Sequence, residues 1–127
     1  RSGQQVNIVQ EDWTAPDLLT GPSSSVWVPV GTNVNPPGFF KDSSGIVRLR
    51  GQLKTNTGTF TFNVSTTSVL FRLPPGYRPQ FIESFIVISA NSLAGVININ
   101  PTDGSVTIAG GNSSVVSLDG VSFRAFQ

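Results

Sequence analysis

The chain has 127 residues, about one domain's length, and contains no cysteine, histidine or methionine. That excludes disulfides, thiolate and imidazole metal sites, cysteine nucleophiles and every His-dependent triad. Charged residues are 12% of the chain, half the usual ~25%, while glycine (13) and proline (9) are plentiful, which points to a turn-rich all-β domain and away from an enzyme.

Eight Lys+Arg against seven Asp+Glu leave a net charge of +1, so no general attraction to nucleic acid or anionic lipid is expected. A mean hydropathy of +0.07 is high for so few charges and predicts apolar surface covered by another chain. No apolar run approaches the ~20 residues of a membrane span, so no membrane insertion is expected. The chain opens Arg1-Ser2-Gly3 without an initiator methionine and reads as a processed product or an excised fragment.

Residues 1–25 lack sustained periodicity. Asp12-Trp13-Thr14-Ala15-Pro16 and Gly21-Pro22-Ser23-Ser24-Ser25 are turn and linker chemistry, so 1–25 read as a leading arm and 26–127 as the domain. Val26-Trp27-Val28-Pro29-Val30 is the first strand, placed at an edge because Pro29 cannot donate to a ladder. Residues 31–45 read as one long polar connection. From Ile46, Val47, Leu49 and Leu53 fall on one face and Arg48, Arg50, Gln52 and Lys54 on the other, which predicts a single strand. After the Asn56-Thr57-Gly58 turn, Phe60, Phe62 and Val64 are expected inward. Thr66-Thr67-Ser68 then turns into Val69-Leu70-Phe71-Arg72-Leu73, which Pro74-Pro75-Gly76 ends.

Residues 81–89 are apolar on both faces, with Ile82, Ile86 and Ile88 on one and Phe81, Phe85 and Val87 on the other. Such a strand needs a second partner, and Phe81, Phe85 and Val87 are assigned to a subunit interface. Hairpins then link strands at 96–100, 105–109 and 114–118. Asp119-Gly120 suits a two-residue type I′ turn, and setting Leu118 opposite Val121 puts Val116, Leu118, Val121, Phe123 and Ala125 on one face. About nine short strands at turn-spaced intervals predict an antiparallel β-sandwich, jelly-roll-like, without helix.

The seven carboxylates are Glu11, Asp12, Asp17, Asp42, Glu83, Asp103 and Asp119. Asp42, Asp103 and Asp119 sit in turns, where a structural role suffices, so no catalytic pair is assigned. No Asp-rich loop offers calcium several oxygens at short spacing, and no metal or cofactor is expected. Arg48, Arg50 and Lys54 read as a solvated outer face, with contact to a sugar acid or phosphate as the other reading. No aromatic alternates with them, as single-stranded nucleic acid would require. Trp27 and Tyr77 read as packing residues ahead of sugar-stacking ones.

Three stretches resemble a pattern of phage tail-fibre and baseplate-appendage proteins. They are Phe40-Lys41-Asp42-Ser43-Ser44-Gly45-Ile46-Val47-Arg48-Leu49-Arg50-Gly51, then Leu73-Pro74-Pro75-Gly76-Tyr77-Arg78-Pro79, and the ending Val116-Ser117-Leu118-Asp119-Gly120-Val121-Ser122-Phe123. Their order and spacing resemble a C-terminal tip domain and cover most of 27–126. The resemblance implies a homotrimeric β-sandwich tip on the virion exterior, carried by an upstream fibre or baseplate protein, that binds a cell-surface receptor, often a saccharide. A trimerisation or collar domain with no ligand is the second reading. A cellular trimeric module of the tumour-necrosis-factor or complement type is the third.

Connections in an antiparallel sandwich alternate between its two ends. Counting from the first strand puts 31–45, 66–68, 90–95 and 110–113 at the exposed end, and 55–58, 74–80, 101–104 and 119–120 at the other. Binding loops belong at the exposed end of a rigid scaffold, and amides and hydroxyls there can bond sugar hydroxyls. Asn33, Asn35, Asn91, Ser92 and Asn112 are therefore the expected ligand-binding residues.

Overall fold

A computed structural model describes residues 11–89 and 93–126. Its strands are β1 (Trp27–Pro29), β2 (Gly38–Lys41), β3 (Ile46–Arg50), β4 (Gln52–Thr55), β5 (Ser68–Arg72), β6 (Glu83–Ile88), β7 (Ala94–Ile99), β8 (Ser105–Ala109), β9 (Val116–Ser117) and β10 (Ser122–Arg124). The only helical element among the described residues is one 3-10 turn, Pro22–Ser24. Every strand pair is antiparallel, as expected for the all-β sandwich. No helix among the described residues is long and apolar enough to cross a membrane.

One layer is a four-stranded sheet in the order β5-β8-β7-β6. The other is divided into two three-stranded sheets, β1-β4-β9 and β10-β3-β2. Their inner faces share one core, with Trp27, Leu53 and Val116 from the first small sheet, Phe39, Leu49 and Phe123 from the second, and Leu70, Ile97 and Ile108 from the large one. The large sheet follows the period-two pattern directly: along β7, Ile97 and Ile99 are buried between half-covered Val96 and Asn98. Leu70 and Phe71 are both buried although adjacent, because the pairing of β5 with β8 slips between Val69 and Phe71. That bulge turns two consecutive side chains inward.

The divided layer departs from the sequence reading in four places. The strand expected from 46 onward breaks at Gly51, whose φ of +112° swings the chain from one small sheet into the other. A Cβ there would run into the backbone of Pro37, so only glycine fits. The polar connection 31–45 contains β2, which buries Phe39 against the core and pairs with β3. Segment 59–65 is no strand: Thr61 and Asn63 make isolated bridges, Phe62 is buried, and Val64, expected inward, is 93% exposed. The Asp119-Gly120 turn is present, closed by the Val121 N–H donating to the Leu118 carbonyl. Its arms splay apart, β9 pairing with β4 and β10 with β3. Only Gly120 of the two has positive φ, so the turn is not type I′. The shared face still holds, with Val116, Leu118, Val121 and Phe123 all in the core.

Pro29 lies on the edge strand β1, as expected. The described part of the leading arm packs on the sandwich. The Leu19 N–H donates to the Leu70 carbonyl, Thr14 bridges to Phe39, and the Glu11 carboxylate accepts from the Lys41 N–H at 2.9 Å and the Tyr77 hydroxyl at 2.9 Å.

The β6 strand has its two faces the other way round from the interface assignment. Val87 is 7% exposed and in the core, and Phe85 packs against it, 6.5 Å from Phe123 between ring centres. The chain's own core uses these two, and only Phe81 of the assigned three stands exposed. Ile82, Ile86 and Ile88 point outward instead, Ile86 at 82%. This strand is also the edge of its sheet, and just past its end Ser89 bridges to Val116 of the opposite layer.

Candidate ligand site

A groove of about 800 Å³ runs past the Pro22–Ser24 turn, segment 59–62 and the start of β5. Thr59, Thr61, Thr66 and Thr67 line it as exposed residues, over Phe60 and Phe62. The density of threonine is legible in the sequence. That the irregular segment 59–62 would face this turn is not. The segment is held by Ser113, fully buried, whose Oγ accepts from the Phe60 N–H and from the Thr55 hydroxyl, both at 2.8 Å. Beneath the groove, the indole N–H of Trp27 donates to Ser68 Oγ at 2.9 Å, and Ser68 is itself part of the lining. Trp27 is 1% exposed and is therefore a packing residue.

Arg72 supplies the charge at the groove. It faces Asp103 at 3.9 Å, with both side chains about half exposed, 53% and 51%. At that distance and exposure the pair is loose and open to competition from a ligand. Asp103 also accepts from the Ser105 N–H, which chiefly holds its carboxyl below the ordinary range.

A smaller cleft of about 330 Å³ lies on the other small sheet, lined by Arg48 and Arg50 of β3, Trp13, Asn35 and the turn at 119–122. Arg48 pairs with Asp42 at 3.1 Å. The Asp42 carboxyl is held below its usual range, first by the Ile46 N–H and then by the Ser44 N–H and Arg48. The Arg50 guanidinium stacks on the Trp13 ring at 4.2 Å, and Trp13 meets Phe40 edge-on at 4.4 Å. Sequence reasoning missed this because Trp13 lay in the supposed arm. Lys54 leaves the patch, carried by the break at Gly51 into the other small sheet.

The expected ligand residues are not brought together. Asn33 is exposed in the bend after β1. The Asn35 amide donates to Asp119 Oδ1 at 3.2 Å, and its carbonyl accepts from Gln52 at the start of β4. Asn112 lies beside Ser113, which the Thr55 N–H reaches at the far end of β4, about 10 Å along the strand. Its Oδ1 closes a local turn to Ser114. Asn91 and Ser92 lie outside the described residues. The two-end assignment fails accordingly: 31–45 meets 119–120, and 55–58 meets 110–113, because β2 and the break at Gly51 were uncounted. The pairing of 74–80 with 101–104 does hold, through Arg78 donating to the Thr102 carbonyl at 3.0 Å.

Tyr77 stacks edge-on with Phe39 at 5.3 Å and carries Lys41 over its ring. Burial, then the Glu11 hydrogen bond, pushes its phenol above the usual range. Among the described residues no three acidic side chains gather as metal ligands would. Compared with family models, curated proteins and solved structures, the chain matches none.

Proposed function

We propose that this chain is a non-catalytic receptor-binding tip domain of a virion fibre or baseplate appendage, and that its threonine-lined groove takes a saccharide of the host surface. The observation that carries the reading is the groove's make-up: exposed threonine hydroxyls above an aromatic floor. Sugars present hydroxyls and C–H faces side by side. Threonine both donates and accepts, and an aromatic floor takes the C–H face. The volume is within the ~300–1,000 Å³ of small-molecule sites. The viral setting is supported by the three tail-fibre-like motifs of the sequence.

In this reading the domain is a homotrimer attached through its leading arm to the upstream fibre. The subunits meet on the outer face of β6, where Ile82, Ile86 and Ile88 are exposed. Residues 84–89 carry no charge, so copies meet there without like-charge repulsion. The isoleucine face by itself equally favours the second reading, a collar domain that assembles without a ligand.

A glycan array probed with the 127-residue chain tests the function. The expected result is a restricted set of saccharide hits weakened by Thr61→Val and by Arg72→Gln. A stable trimer with no glycan hit would replace the receptor-binding reading with the collar.

A further inference from the structure

Among the described residues, Arg50 is the one with a buried side-chain polar atom left without a partner. It is half-buried, and neither ion pair among the described residues includes it. Its Nε is buried with no hydrogen-bond partner among the described residues. Taking a guanidinium out of water without a counter-charge is costly. Stacking on Trp13 recovers part of that cost and fixes the plane of the guanidinium, while occupying its face rather than its N–H edge. Gly38 lies beside the stack, where a Cβ would meet Arg50 Nε and Trp13 Cε3 in ordinary van der Waals contact, each at 3.4 Å.

The same side chain lines the smaller cleft with Arg48, two residues along on the same face of β3. Asp42 already answers Arg48. Asp119 is the one carboxylate in the lining, and its Oδ1 is held by the Gly51 N–H at 2.8 Å and by Asn35. The lining itself holds two arginines against this one carboxylate, and the planar fork of a guanidinium suits a carboxylate. We propose that this cleft is a second ligand site, which binds the carboxylate of an acidic sugar unit through Arg50 and Arg48. The anion site stands on the arginine geometry alone, and the choice of a sugar as carrier rests on the proposed function.

The two tryptophans separate the sites. Trp13 lines the cleft, and the Trp27 indole N–H is bonded to Ser68 in the groove. In a proton–nitrogen spectrum of the whole chain each indole gives one signal, assigned with Trp13→Phe. Titration with a galacturonate hexamer is expected to move the Trp13 signal to saturation, while its neutral galactose counterpart leaves that signal in place. Arg50→Lys keeps the charge but loses the planar fork, and is expected to weaken the acidic hexamer by about tenfold or more. Arg48→Lys gives the same direction if the first variant loses its folded spectrum. A Trp13 signal unmoved by millimolar acidic hexamer overturns the proposal, as does equal movement by the neutral hexamer or unchanged affinity in both variants. Tighter binding of a thymidine hexanucleotide at Trp13 would also overturn it, in favour of nucleic acid. Movement of Trp27 alone sinks this inference and leaves the groove standing; movement of Trp13 alone does the reverse.

Discussion

The two layers of the sandwich are built by different means. In the four-stranded layer, β6, β7 and β8 follow one another in the chain and pair with their sequence neighbours, six residue pairs joining β6 to β7. Backbone ladders and alternating side chains suffice there. Apart from the β2–β3 pair, the divided layer is assembled from strands far apart in the chain, and side chains hold its seams: Asp119 takes the Gly51 N–H, and Ser113 takes that of Phe60. The arginine cleft lies on this second layer, and the groove lies where the irregular segment 59–62 meets β5 of the first. Regular pairing leaves little relief for a ligand, whereas a break in the sheet leaves backbone to be satisfied by side chains and gaps between segments.

The contrast is broken most severely at Gly51. Gly51→Ala combines a left-handed backbone with a collision against Pro37 and is expected to cost about 3–4 kcal/mol, read as a lowered denaturant midpoint. Gly120 has a similar φ of +88° but open space around it. Gly120→Ala is expected to cost only the backbone term, about 1–2 kcal/mol. Equal losses at the two positions would show that close packing of the strand switch is not what requires Gly51.

Ser113→Ala removes the acceptor of a backbone N–H and a buried hydroxyl's partner, for a loss of about 2 kcal/mol. Faster amide exchange at 59–62 should accompany it, with β7 and β8 unaffected. Asp42 sharpens the comparison through pH. Its folded carboxyl titrates below the unfolded one, so its stabilisation is present above about pH 4 and is lost as the pH falls through the depressed folded value. Asp42→Asn should therefore flatten the acid limb of the stability curve, with the remaining slope due in part to Asp103, which shifts the same way. On the regular layer, Ile86→Ser should change the stability of a single subunit by less than about 0.5 kcal/mol. Its expected effect is on assembly, as a lower sedimentation coefficient at micromolar concentration.

The same division decided what could be read from the residues. Strands β6 to β8 were legible because their partners are near, and β5 because Pro74-Pro75-Gly76 ends an apolar run. Ile46 to Lys54 read as one strand because its apolar residues keep period two straight through Gly51, and only Pro37, fourteen residues upstream, reveals the switch. Phe60, Phe62 and Val64 alternate as a strand would, yet Ser113 takes the Phe60 N–H and leaves Val64 in solvent. Both apolar faces of β6 were visible, but which one the core would take depends on Phe123 across the sandwich. The arginine cleft was half legible. Arg48 and Arg50 stood out, while Trp13, from a stretch with no periodicity, reaches them only through the fold.

The strand order also sets the time at which each layer can form. Residues 83–109 close on themselves through short connections, so their pairing needs little loop-closure entropy. The small sheets need β9 and β10, near the end of the chain, to return to β4 and β3 more than sixty residues back. During synthesis the four-stranded layer is thus complete while the inner faces of β3 and β4 are still open. The core is shut only when β9 and β10, made after that layer, reach β4 and β3.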